Sequence, residues 1–387
     1  MNNFTYYNPT KMIFGKDTIS QIGKQIKEQG INKVLLLYGK GSVIKNGVYD
    51  KVVESLKSSG VQHVDFSGVK PNPVLSTVKE AIKAMKDNSV EAILALGGGS
   101  VIDSAKAAAA GFYYEGDVWD LFERKAMVNK ALPIFTVLTI SATGSEMNSG
   151  GVITNEAENK KWSFGSPLLY PKVSIIDPTI QFTLPENQTV NGAVDTLSHV
   201  FELYFDGTRN TDMMDELSEG IIRTMMKHVK ILLKDKENYE SRCEFTWSST
   251  LALNGMNGTG RVGDWSSHQI EHSLSAFYDI SHGAGLAIVF PAWMKYVQHC
   301  HVEKFERFAE RIFDIKEGSP EEKGIKAIEK LKEFYKEIGA PISLKEVEIP
   351  REDLNKLAEN AALLSPIGSM KKLYKEDILK ILELCYE

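Results

Sequence analysis

Residues 90–112, VEAILALGGGSVIDSAKAAAAGF, decide the fold. From Ala92 to Leu96 the run is apolar without a break, the pattern of a strand covered on both faces rather than one that alternates toward water. Gly97, Gly98 and Gly99 end it. From about Ser100 the apolar residues Val101, Ile102, Ala105, Ala108 and Ala109 recur at helical spacing, so a strand, a glycine turn and a helix follow in that order. Glycines let a backbone approach phosphate closely, and the free N–H groups and positive end of a helix favour an anion, which makes this turn a candidate pyrophosphate cradle. A plainer reading stands beside it, in which Ser100 and Asp103 form an S-x-x-D capping box that needs no ligand.

The same rhythm extends on both sides. KVLLLYG (33–39) precedes the amphipathic GVYDKVVESLKSSG (47–60), VQHVDFSGV (61–69) precedes VLSTVKEAIKAMKDN (74–88), and ALPIFTVLTI (131–140) follows the central unit. Repeated strand-then-helix units predict an α/β region with a mostly parallel sheet. The character changes near Leu184-Pro185-Glu186, where a helix can begin and beyond which β-type runs are scarce. Segments 216–235, 321–339 and 351–364 each carry one apolar stripe opposite charged residues, as bundle helices do. A chain of 387 residues is longer than one core usually organises, so the expected division is an α/β domain over 1–184 and an all-α domain over 185–387.

The formal charge of −6 comes from interspersed acids and bases, and no basic cluster alternates with aromatics, which argues against a nucleic-acid partner. The start, MNNFTYYNPTKMIFG, lacks a basic-then-apolar signal pattern, and no apolar run nears the roughly 20 residues needed to span a bilayer. No membrane association and a cytoplasmic location are expected. Cys243, Cys300 and Cys385 form no C-x-x-C pair, so neither a disulfide framework nor a thiolate zinc site is indicated.

Two further loops belong with the glycine turn. YGKGS (38–42) ends a strand but lacks the third glycine of G-x-G-x-x-G, because Ile44 stands there. LTISATGSEMN (138–148) offers the hydroxyls of Thr139, Thr143 and Ser145 after another strand, although Thr143 to Glu146 also reads as a T-x-x-E capping box. In a parallel sheet the carboxyl ends of the strands share one edge, so these loops are expected on one rim, where nucleotides bind.

Histidines mark the second half. Asp195 and His199, four apart in a helical pattern, project from one face and can share a cation, or form only an ion pair. His268 and His272 are likewise one turn apart, and His282 opens a further apolar helix. A lone helical histidine is more often hydrogen-bonded than ligating, the reading adopted for His63, His228, His299 and His301. His268-Gln-Ile-Glu-His272 also matches H-x-x-E-H, the inverted zinc-peptidase motif. That motif supplies an alternative of a different class, as does a non-catalytic nucleotide- or metal-binding module, yet a peptidase leaves the glycine- and hydroxyl-rich loops and Asp195 with His199 unexplained.

Read together, NPTKMIFGK, YGKGSVIKNG, GVKPNP, GGGSVIDSAK, TISATGSEMN, the Asp195-x-x-x-His199 pair, HQIEHSLSA and SHGAGLAIV follow an order that resembles the iron-containing (group III) alcohol dehydrogenases, in particular their butanol dehydrogenase and broad aldehyde reductase branch. The resemblance runs nearly end to end. It implies the two-domain architecture shared with dehydroquinate synthase, a dinucleotide-binding α/β domain followed by a helical metal-binding domain. It implies metal ligands at Asp195, His199, His268 and His282, with His272 facing the substrate as a proton relay or a positioning group. It maps nucleotide contacts onto Gly39, Gly41, Ser42, Asn72, Gly98, Gly99, Ser100, Asp103, Thr139, Thr143, Ser145 and Lys161.

NAD-restricted members carry an Asp after the first strand; here that position is Gly39 and Lys40 follows, whose ammonium can pair with a 2′-phosphate, so NADP(H) is expected to be favoured with NAD(H) also accepted. One carboxylate and three imidazoles suit Fe(II), the first choice by resemblance, and Zn(II). The implied reaction is hydride exchange between nicotinamide and short-chain primary alcohols or aldehydes such as butanol and butanal, with the metal polarising the substrate oxygen. Trp265, Phe277 and Tyr278 are candidate walls of a small apolar pocket, or core. The segment FTYYNPTKMIFG is expected to form an edge hairpin, and the family joins subunits through a similar strand, which implies a homodimer.

Overall fold

The computed structural model describes residues 1–386, which gather into two compact units. A sheet unit comprises Tyr7–Leu184 and Asp235–Thr250, and a helical unit comprises Met1–Tyr6, Pro185–Lys234 and the residues from Leu251 onward.

In the sheet unit six strands, β1 (Lys11–Phe14), β2 (Lys33–Tyr38), β3 (Gln62–Phe66), β4 (Ala92–Gly97), β5 (Ile134–Leu138) and β8 (Val173–Ile176), lie in the order β1-β8-β5-β4-β2-β3. Every neighbouring pair is parallel. The unbroken apolar runs of β2 and β4 have a simple cause, because side chains alternate across the sheet and both faces are covered. Leu35, Leu37, Ile93 and Ala95 face the helices Leu75–Asp87 and Gly99–Gly111, while Val34, Leu36, Leu94 and Leu96 face Ile22–Lys27 and Val48–Ser58. Each such Leu or Ile, removed from water, contributes about 1.5–3 kcal/mol.

The first strand departs from expectation. Instead of an edge hairpin, β1 is a single edge strand paired in parallel with β8, Lys11 opposite Val173. Pro9 has no N–H to extend the ladder, and Asn8 turns away to bond the Met147 carbonyl at 2.8 Å. A hairpin does form elsewhere, from β6 (Gly150–Asn155) and β7 (Lys160–Gly165), which are antiparallel. The helix Tyr239–Leu253 starts in the sheet unit because its hydroxyls are used there: Ser141 donates to Thr246 Oγ1 at 3.0 Å and Thr250 to Glu146 Oε1 at 2.6 Å.

The helical unit is built on Glu186–Tyr204, which opens just after Pro185, and on Asp212–Leu232, Ser266–Tyr278, His282–Val297, Val302–Phe313 and Pro320–Glu337. Phe201, Phe205, Phe290, Phe305 and Phe308 interlock at its centre, with ring centroids 4.5–6.1 Å apart. Among the described residues no helix is long and apolar enough to cross a membrane.

Two helices approach closely beside His282. A Cβ built at Gly283 lies 2.2 Å from the carbonyl oxygen of Asn191, which is backbone and cannot swing aside. Gly283→Ala should therefore force His282–Val297 away from Glu186–Tyr204 and destabilise the unit by about 1–3 kcal/mol or more. Urea unfolding followed by tryptophan emission checks this; an unchanged midpoint would contradict the packing described.

Candidate functional site

Helix geometry brings the acid and imidazole side chains of the helical unit together. Asp195, His199 and Glu202 occupy successive turns of one helix face, and all three are buried. His268, Glu271 and His272 come from Ser266–Tyr278, and His282 is the first residue of His282–Val297. One ligand atom each from Asp195, His268 and His282 lies within 4.8 Å of the others. His199 borders this trio: its Nε2 is 3.7 Å from Asp195 Oδ1, and its ring stacks on that of His268 at 4.9 Å. The Nε2 of His282 is 3.6 Å from the same Asp195 oxygen.

Among the described residues, the buried atoms Asp195 Oδ1 and His268 Nε2 have no hydrogen-bond partner. A buried polar atom left so costs about 1–3 kcal/mol, and a cation accepting both lone pairs removes the cost. The donor set, carboxylate oxygen with imidazole nitrogens and no thiolate, fits a borderline divalent metal such as iron or zinc.

The opposite ring atoms are engaged. His268 Nδ1 donates to Glu202 Oε1 at 2.7 Å, and His282 Nδ1 donates to Glu271. The second carboxylate oxygen of Glu202 accepts the backbone N–H of Trp265, a residue in left-handed conformation at φ 64° whose ring lies 5.5 Å from that of His268. Burial and the nearby Glu202 charge push Asp264 up to about 6. His272 approaches His282, ring centroids 5.6 Å apart.

These contacts decide the peptidase alternative. In an H-x-x-E-H hydrolase the glutamate must face a water molecule, whereas Glu271 is wholly buried and bonded to His282 and Ser275. Of the three aromatic candidates only Trp265 adjoins the histidines. Tyr278 bonds Asp353, and Phe277 lies under Lys356. His63, His228, His299 and His301 belong to none of the metal-competent groups found among the described residues.

In the sheet unit the parallel strands deliver the loops after β2, β4 and β5 to one edge. Gly39 and Gly41 flank Lys40 in the first, Gly41 at φ 122°. Gly98 caps the helix Gly99–Gly111 without a side-chain bond to its N–H groups, so the S-x-x-D box does not form. Ser100 instead donates to the Pro71 carbonyl, while Asp103 accepts from Ser145 Oγ at 2.6 Å and from Val152 N–H at 2.9 Å. A Cβ at Gly99 would lie 2.4 Å from Thr143 Cγ2, so the glycine lets two of these loops touch. Thr143 Oγ1 accepts from Ser145 N–H, and Glu146 points instead to Thr250, so the T-x-x-E box is absent too. Thr139 is buried at the end of β5, and Ser42 is exposed. Lys161, on β7, donates to Asn72 Oδ1 at 3.1 Å.

Sequence reasoning missed the lysine that ties this rim together. Lys106 is fully buried and donates to Ser145 Oγ, Asn148 Oδ1 and the Gly150 carbonyl at 2.7–2.9 Å. The available signal was a single cation in an otherwise alanine-rich helix. Glu202 and Glu271 were missed as well, although Glu202 stands three residues after His199 on the same face and Glu271 sits inside the H-x-x-E-H motif.

A family model described as iron-containing alcohol dehydrogenase matches residues 9–178, and one described as the C-terminal part of the Fe-containing alcohol dehydrogenase family matches residues 189–386. The probable NADH-dependent butanol dehydrogenase 1 of Bacillus subtilis is 45% identical over 385 residues, 99% of each chain. The NADPH-dependent aldehyde reductase YqhD of Escherichia coli is 37% identical over 347 residues, 89% of each chain. The crystal structure of NADH-dependent butanol dehydrogenase A from Thermotoga maritima superposes with a TM-score of 0.98 at 54% identity, covering 100% of this chain and 99% of that one.

Burial pushes Lys106 down from its ordinary 10.5 to about 8, against the opposing pull of Asp103 and Glu146. Between those two pH values the folded chain has released a proton that the unfolded chain keeps, so this group's contribution to stability rises with pH, by at most about 1.4 kcal/mol per pH unit. Urea unfolding from pH 7 to 10 should show wild type gaining on Lys106→Met as pH rises; a gap independent of pH would refute the assignment.

Proposed function

We propose, on the premise that the chain belongs to the iron-containing alcohol dehydrogenase family, that it interconverts short-chain primary alcohols and aldehydes, butanol and butanal among them, with a nicotinamide dinucleotide and one divalent metal ion. The chain is an oxidoreductase of the alcohol dehydrogenase and aldehyde reductase type. The observation that carries the fuller reading is the convergence of buried Asp195 and His268 with half-buried His282, where Asp195 Oδ1 and His268 Nε2 take part in no hydrogen bond among the described residues.

Asp195, His199, His268 and His282 are the ligands in this reading, with Fe(II) the first choice and Zn(II) a fit to the same donors. When bound, the cation supplies Lewis acidity at the substrate oxygen. Asp195 contributes the one negative charge among the four ligands, so a divalent cation held by them would keep a net positive charge of its own toward developing alkoxide charge. We assign His272 the proton of the substrate oxygen, since an imidazole near neutrality can both accept and return it. Trp265, beside His199 and His268, supplies apolar surface for a short alkyl chain.

For the dinucleotide we assign Gly39, Gly41, Ser42, Asn72, Gly98, Gly99, Ser100, Thr139, Thr143 and Lys161 as contacts, with Asp103 and Ser145 acting through the shape of the loop that their own bonds fix. NADP(H) is favoured in this reading, although relatives named for each cofactor exist, because Gly39 has no carboxylate to repel a 2′-phosphate and Lys40 is exposed beside it. We further propose a cytoplasmic homodimer, consistent with free cysteines and with Phe4 and Tyr7 more than half exposed near the amino terminus.

Butanal-dependent NADPH oxidation should be lost on chelation and restored by Fe(II) or Zn(II). His268→Ala should lose bound metal, while His272→Ala should keep the metal but lose the neutral limb of the pH–rate profile. Absence of turnover with every short aldehyde would favour a binding module instead. A Cβ at Gly39 would make only an ordinary 3.5 Å contact with the Val69 carbonyl, so Gly39→Asp tests cofactor choice without steric cost. It should raise the KM for NADPH at least tenfold more than that for NADH, and equal loss with both would reject the proposed preference.

A further inference from the structure

We propose that Glu202 and Glu271 are the positioning residues of the metal centre, each holding one ligand histidine by Nδ1 so that Nε2 is turned toward Asp195. The inference rests on the reading that this cluster holds a divalent cation.

Both glutamates are fully buried, a position expensive for a carboxylate unless its oxygens are bonded. Glu202 Oε1 accepts the backbone N–H of His268 at 3.0 Å and its ring Nδ1–H at 2.7 Å, and Oε2 accepts the N–H of Trp265. Glu271 accepts His282 Nδ1–H with one oxygen and the Ser275 hydroxyl with the other. An ionised carboxylate can only accept, so each imidazole must carry its proton on Nδ1, and a neutral ring then has its lone pair on Nε2. Those lone pairs lie where a ligand is needed: His268 Nε2 has no partner among the described residues, and His282 Nε2 lies 3.6 Å from Asp195 Oδ1.

The two bonds run in sequence between helices. Glu186–Tyr204, which carries Asp195 and His199, lends Glu202 to His268 on Ser266–Tyr278; that helix in turn lends Glu271 to His282 on His282–Val297. The space for the second bond is provided, since a Cβ at Gly285 would come within 2.7 Å of Glu271 Cγ. Carboxylates that accept from a ligand histidine fix its tautomer and raise its basicity, and their loss weakens metal binding about 10- to 100-fold.

Glu271→Gln is the discriminating variant. Its amide oxygen can still accept from His282 Nδ1, its amide nitrogen can donate to Ser275, and only the charge is lost. Zn(II) affinity of the full chain, by competition with a chromophoric chelator, should fall about 10-fold in Glu271→Gln and about 100-fold in Glu271→Ala and Glu202→Ala. The melting temperature of metal-free Glu271→Gln should match wild type, and its partial recovery of affinity relative to Glu271→Ala separates orientation from folding. Wild-type affinity in Glu271→Ala and Glu202→Ala overturns the proposal. So does complete loss of Zn(II) in Glu271→Gln, which would make Glu271 a ligand. If wild type binds no Zn(II), or His282→Ala binds it as tightly, the metal-site reading itself fails; if wild type binds it, His282→Ala loses it and the glutamate variants match wild type, only the positioning role fails.

Discussion

The cost of taking carboxylates out of water organises the helical unit. Asp195, Glu202, Asp206, Asp215, Glu219, Asp264 and Glu271 are all buried there, and each can stay ionised only where donors or a cation replace the lost hydration. For most of them the replacement is visible. Asp206 accepts the N–H groups of Val262 and Gly263, Asp264 those of Ser369 and Met370, Asp215 the ammonium of Lys304, and Glu219 the guanidinium groups of Arg307 and Arg311. The bonds of Asp206 and Asp264 pin the loop that leads into Ser266–Tyr278 and so fix where the histidines begin. Asp195 is the member of the set whose Oδ1 no described donor meets, and that asymmetry identifies the site more sharply than the number of histidines near it.

The sheet unit shows the same physics with the sign reversed. One buried ammonium, Lys106, gathers a hydroxyl, an amide oxygen and a carbonyl from the segment after β5, and Asp103 draws in Ser145 and the backbone of β6. If such a loop presents backbone N–H groups to a phosphate, as proposed for the dinucleotide, flexibility would bring it nothing, because ordering on binding costs affinity. Polar side chains on the helix behind it supply the rigidity, leaving the glycines to supply closeness.

Much of this was legible in the sequence because the deciding signals are local. The continuous apolar runs at 33–38 and 92–97 identify strands covered on both faces, and the stripes in the second half identify packed helices; both readings agree with the parallel sheet and helical region observed. What was not legible depends on partners distant in sequence. In the hairpin β6–β7 the second strand, KKWSFG, has no β-branched residue to signal it, and the helix Tyr239–Leu253 has hydroxyls where a stripe would show. The capping boxes at Ser100 and Thr143 fitted their patterns, yet Asp103 and Glu146 found stronger partners more than 40 residues away. Sequence brought Asp195, His199, His268, His272 and His282 into view, but not which ring nitrogen of His268 and His282 is engaged, since that depends on bonds to Glu202 and Glu271 across helix boundaries.

The segment Ser281-His282-Gly283-Ala284-Gly285 can now be understood through its neighbours. Neither glycine adopts positive φ, so backbone freedom does not explain them. Gly283 is small because the main chain at Asn191 passes against it, and Gly285 is small because Glu271 fills the space a side chain would need. The two positions therefore differ in how they can vary among descendants of this chain. Position 283 faces main chain, which no substitution can trim, whereas position 285 faces a side chain. A larger residue at 285 becomes tolerable only when 271 shortens in the same lineage, so these two sites are expected to drift as a pair while 283 stays fixed.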